Sequence, residues 1–82
     1  MEMNLTVMDR VLDTSARRSK GHKAVAAFIE KNTEQAVFMT AAQIGDTVGV
    51  SESTVVRFAT GLGYEGFPQF HAELKAYIHQ KM

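Results

Sequence analysis

A chain of 82 residues with 45% hydrophobic and 22% charged side chains is long enough for one small core and too short for a second. It has no cysteine, which excludes disulfides and thiolate metal sites, and no apolar run approaches the roughly 20 residues that span a bilayer. Nine basic residues balance nine acidic ones, so a phosphate-binding surface would have to come from where the charges sit rather than from their sum.

Every periodic stretch of the chain is helical, and no run alternates like a strand. The fold expected is all-α: one domain over 1–82, five helices, no β wing. Leu5, Met8, Val11 and Leu12 follow the 3–4 spacing of a first helix at about 3–14, broken by Thr14 and Ser15. The basic residues cluster next. Residues 15–31 hold Arg17, Arg18, Lys20, Lys23 and Lys31 against Glu30 alone, whereas 32–66 hold Arg57 against four acids. A solvated helix face and a phosphate-contacting face both fit such a run. The second helix spans about 18–31, capped by Ser19 or Ser15, with Gly21, Val25, Phe28, Ile29 and Asn32 on one face. A single helical turn near 34–38 carries Ala36, Val37 and Phe38.

Thr40 followed three residues later by Gln43 is a capping box, each side chain satisfying an amide that the other position leaves orphaned. It opens a third helix ending near Val48. Gly49 suits a left-handed turn. Ser51 then caps a fourth helix ending near Leu62, with Glu52 complementing the dipole in its first turn, Gly61 sitting awkwardly in its last turn at a cost of roughly 1 kcal/mol against Ala, and Gly63 just beyond its end. Pro68 fits the first position of a fifth helix, whose buried stripe is Phe67, Phe70, Leu74 and Ile78.

The third and fourth helices are short, and only about three residues separate them, the connection of a helix-turn-helix. Such a crossing needs a small residue, met by Gly45, and a turn residue tolerating positive φ, met by Gly49. Ile44, Val48, Val50, Val55 and Phe58 supply the apolar positions in register. An ordinary helical hairpin with the same core spacing is the competing explanation. Ser51, Ser53, Thr54, Val56, Arg57 and Thr60 form the outward face of the fourth helix. Hydroxyls at its start suit phosphates and base edges. Arg57 fits a bidentate contact with guanine, and Val56 a thymine methyl; a surface ion pair of Arg57 with Glu52 or Glu65 is the alternative. Thr40 and Gln43 begin the preceding helix, whose amides suit a phosphate.

These residues carry a resemblance. Phe38-Met39-Thr40, Ala41 to Gly49, the run Val50-Ser51-Glu52-Ser53-Thr54-Val55-Val56-Arg57-Phe58 and the run Leu62-Gly63-Tyr64-Glu65-Gly66-Phe67 are similar to the N-terminal domain of the RpiR family of bacterial transcription regulators, over roughly residues 5–80. The resemblance implies a five-helix domain binding operator DNA, usually within a homodimer. It also implies that a sugar-phosphate effector acts only through a sugar-isomerase-like domain, expected to be absent from this chain. Thr60-Gly61 and Glu65 stand where the family often carries basic residues. Backbone contacts are then expected from Arg17, Arg18, Lys20 and Lys23, of which Lys20 and Lys23 share a helix face.

Catalysis and metal binding have little support. His71 and His79 are eight residues apart on one helix, too far to share a metal ion, and His22, in the basic segment, fits a plain surface role, with a phosphate contact as the alternative. The glycines at 61, 63 and 66 lack the context of a phosphate cradle. No enzyme activity and no cofactor are expected. The N-terminus lacks the basic start and apolar block of a signal peptide, so a cytoplasmic location without membrane contact is expected. The rival to DNA binding is a protein-docking or dimerisation module built on the same scaffold.

Overall fold

In a computed structural model, which describes residues 7–15 and 19–81, six helices follow one another with no strand among those residues. They are α1 (Val7–Ser15), α2 (Lys20–Lys31), α3 (Thr33–Ala36), α4 (Ala41–Val48), α5 (Glu52–Gly61) and α6 (Phe67–Lys81). The architecture is all-α without a β wing, as expected. Five longer helices match the five expected, and α3 is the expected single turn, begun one residue earlier. Asn32 ends α2, and Thr33 Oγ1 then donates to Ile29 O at 2.7 Å, bending the chain into α3 at once. No helix among the described residues is long and apolar enough to cross a membrane.

The inward face of α1 differs from the expected one. Val7 and Val11, an i,i+4 pair, are buried, Met8 packs at the edge of the core, and Leu12 is 45% exposed. Leu5 lies outside the described residues. The helix is rotated toward its Val7–Val11 row, and Arg10 on the neighbouring row reaches Leu62.

Ser19 caps α2, its Oγ accepting from the His22 N–H at 3.4 Å, and Val25, Ala26 and Ile29 are buried. The capping box of α4 is complete. Thr40 Oγ1 accepts from the Gln43 N–H at 3.1 Å, and Gln43 Oε1 accepts from the Thr40 N–H at 2.9 Å. α6 begins at Phe67 rather than Pro68; proline still falls in the first turn, where no intrahelical N–H is required of it. Phe67, Phe70 and Leu74 are buried as expected, while Ile78 only skirts the core.

The core lies where α1, α2, α5 and α6 meet. Phe58 and Phe70 contact edge to face with centroids 5.9 Å apart, and Ile29, Ile44, Val55 and Leu74 close around them, all fully buried.

Gly49 ends α4 with φ 85°, in the left-handed region. A Cβ there would meet nothing within 4 Å, so the backbone conformation alone resists substitution. Gly49→Ala is expected to cost about 1–2 kcal/mol, read as a lower denaturant midpoint with an unchanged slope.

Candidate nucleic-acid interface

The site is built on the crossing of α4 and α5. A Cβ on Gly45 would lie 2.7 Å from Val50 O and 3.3 Å from Ser51 O, so the turn leading into α5 packs on α4 more closely than any side chain allows. The Gly49 and Val50 amides both donate to Gly45 O, at 2.8 and 2.9 Å, which seals the turn. Ile44, Val55 and Phe58 are buried, and Val48 and Val50 pack against them at the margin. All seven residues expected to shape a helix-turn-helix therefore occupy the expected positions.

With Val55, Phe58 and Ala59 turned inward, α5 presents its other side to solvent. Ser51, Ser53, Arg57 and Thr60 are exposed, whereas Thr54 and Val56 are half-buried. Glu52, Ser53, Val56 and Arg57 line one shallow depression. No ion pair joins Arg57 to Glu52 or Glu65 among the described residues. Several hydroxyls of this face also hold the helix together. Ser51 Oγ accepts from the Thr54 N–H at 3.2 Å and lies 2.9 Å from Thr54 Oγ1. Thr60 Oγ1 donates to Arg57 O at 3.0 Å.

The first turn of α2 lies beside the start of α5. A Cβ on Gly21 would be 3.4 Å from Thr54 Cγ2 and 3.5 Å from Val50 Cγ1, and the His22 ring meets Phe58 edge to face at 6.1 Å. This explains why Thr54 is half-buried: its methyl faces α2. Lys20 and Lys23 of the same helix are both exposed. Arg17 and Arg18 lie outside the described residues. Thr40 and Gln43 are exposed at the start of α4, with Thr40 Oγ1 and Gln43 Oε1 engaged in the capping box.

Sequence reasoning did not find the part played by Arg10. Its guanidinium donates to Leu62 O at 3.1 Å, across 52 positions of chain. Only the pairing of the Leu62-Gly63-Tyr64 turn with a cation could have hinted at it.

Comparison with known proteins gives a consistent result. The family described as helix-turn-helix domain, rpiR family, matches residues 7–81. An uncharacterized HTH-type transcriptional regulator of Providencia stuartii, in the aarA 3′ region, is 28% identical over 72 residues, 87% of this chain and 26% of that protein. An uncharacterized HTH-type transcriptional regulator of Clostridium perfringens is 24% identical over 75 residues, 92% of this chain and 27% of that protein. The uncharacterized HTH-type transcriptional regulator YfhH of Escherichia coli is 36% identical over 50 residues, 61% of this chain and 18% of that protein. The chain thus spans about a quarter of the length of the first two relatives. No solved structure matches it.

Proposed function

This chain belongs to the rpiR family of helix-turn-helix domains, and on that premise we propose that it binds double-stranded operator DNA in a sequence-specific way as part of a bacterial transcription regulator. α5 enters the major groove. Arg57 reads guanine through O6 and N7, Val56 meets a thymine methyl, and Ser51, Ser53, Thr54 and Thr60 approach base edges and phosphates. Thr40, Gln43, Lys20, Lys23, Arg17 and Arg18 hold the backbone. The domain acts in the cytoplasm as a homodimer, because one such helix reads only a half-site. It is not an enzyme. Any sugar-phosphate effector acts through a domain outside these 82 residues.

One observation carries the reading: the turn into α5 packs on α4 at Gly45 and Val55, Phe58 and Ala59 are buried in the core, leaving Ser53, Arg57 and Thr60 exposed together. Zero net charge favours the rival reading, a protein-docking module, and salt dependence separates the two. Affinity for a selected duplex is expected to fall with salt at a log–log slope near −0.9 per phosphate contacted. No binding to any duplex at low salt, or a flat profile, decides for docking.

Arg57→Ala is expected to lower the preference for the selected duplex over a scrambled one by about 1–3 kcal/mol, with little loss of non-specific affinity. Uniform weakening on both duplexes, with a salt slope reduced by about 0.9, would make Arg57 a phosphate contact instead.

A further inference from the structure

The exit of α5 is assembled from distant parts of the chain. The Gly63 N–H donates to Thr60 O at 3.0 Å and the Tyr64 N–H to Ala59 O at 3.4 Å. With Gly63 at φ 106°, these are the paired bonds of a Schellman ending. That pattern leaves the Leu62 carbonyl over, and Arg10 of α1 supplies its donor, Nη1 at 3.1 Å. The same guanidinium lies over the Tyr64 ring, Cζ 5.1 Å from the centroid. A Cβ on Gly63 would come within 3.1 Å of Nη1, so the glycine also leaves room for the cation. Tyr64 in turn rests edge-on against Phe70 of α6 at 5.7 Å. One side chain thus touches three consecutive residues where α5 ends, and ties them to α1 and α6.

We propose that Arg10 is a positioning residue for DNA reading: its grip on the Leu62–Tyr64 turn fixes the angle at which α5 presents its outward face. The proposal rests on the DNA-binding reading above. Arg10 itself need not meet DNA. A cation at a helix C-terminus is favoured by the dipole, and a planar guanidinium combines a carbonyl bond with stacking on a ring, which an ammonium does not. The turn Leu62-Gly63-Tyr64 then has a reason for its composition: a carbonyl to be gripped, a residue without Cβ to make room, and an aromatic face to stack on. Burial raises the Tyr64 hydroxyl above its usual 10.0, Arg10 pulls it back down, and Glu73 pushes it up again, which makes Tyr64 a reporter of the contact.

The test uses the full chain at a temperature where circular dichroism shows every variant folded. Arg10→Ala is expected to reduce the ratio of selected to scrambled duplex affinity about tenfold, one base pair's worth of discrimination, with the salt slope unchanged. Arg10→Lys should recover only part of it. Amide exchange at Gly63 and Tyr64 should accelerate in Arg10→Ala relative to Val55 and Phe58 earlier in α5. In a Tyr77→Phe background the Tyr64 absorbance titration should move to higher pH. A ratio that does not change when Arg10 is removed, although the unaltered chain binds its duplex, overturns the positioning role alone. A salt slope reduced by about 0.9 overturns it too, making Arg10 a phosphate contact. Failure of the unaltered chain to bind any duplex overturns the DNA reading and this use of Arg10 together, while amide exchange still reports whether the grip exists.

Discussion

Gly45→Ala should lower the melting temperature by about 10 °C, equivalent to a net loss of about 2 kcal/mol in a domain of this size. The sign runs against helix propensity, since in most helix interiors this exchange stabilises by roughly 1 kcal/mol. At Gly45 the added carbon would lie 2.7 Å from Val50 O and 3.3 Å from Ser51 C and O. Those atoms are backbone, in the turn that joins α4 to α5, and cannot rotate aside. Overpacking of this kind costs about 3 kcal/mol and outweighs the propensity gain. The adjustment open to the structure is to push α5 away from α4, so under the DNA-binding reading duplex affinity should fall even where the variant stays folded. Gly21→Ala is the matched control. Its Cβ would lie 3.4 Å from Thr54 Cγ2 and 3.5 Å from Val50 Cγ1, ordinary contact with side-chain atoms. That substitution should be neutral, or stabilising by up to about 1 kcal/mol. Thermal melts of the two variants that moved in the same direction would contradict the close crossing.

Phe58→Ala should cost about 4 kcal/mol, most of the stability available to a domain of this size. Phe58 is 1% exposed and stands between three helices, edge-on to Phe70 at 5.9 Å and to His22 at 6.1 Å. Its removal opens a cavity among α2, α5 and α6, and the surrounding structure relaxes into such a space only partially. Phe58→Leu keeps most of the volume and should cost less than about 1.5 kcal/mol. Urea unfolding measures both. Equal losses would show that the aromatic pairing, rather than the filled volume, dominates at this position.

Features governed by local chemistry are legible in the sequence. The Thr40–Gln43 box, the Ser51 cap, and the glycines at 49 and 63 act within a few residues of themselves, and each occurs as expected. The crossing at Gly45 was legible because a short connection between two helices leaves few geometries. Helix boundaries were less so: α6 starts one residue before Pro68 and α3 one residue before Glu34, since neighbouring side chains such as Thr33 supply bonds that propensity does not encode. In α1, Val11 is buried and Met8 packs on the core as the spacing predicts, but 3–4 spacing allows two adjacent rows, and packing takes Val7 inward and leaves Leu12 exposed. At the candidate interface, the exposure of Ser51, Ser53, Arg57 and Thr60 follows from the helix period. The half-burial of Thr54 depends on α2 crossing nearby at Gly21, and the Arg10 grip joins residues 52 positions apart; neither leaves a local trace in the sequence.

Gly21 of α2 lies against the first turn of α5, and Arg10 of α1 holds its last. If both contacts hold α5 in place, it has little freedom to surrender when it meets a partner, and association loses correspondingly little entropy. Rigidity also decides which side deforms. On a duplex of imperfect shape the bending falls on the DNA, and its energy depends on base steps that no side chain touches. Under the DNA-binding reading, preference should therefore extend past the bases under Arg57 and Val56, toward flexible pyrimidine–purine steps flanking the contacted site.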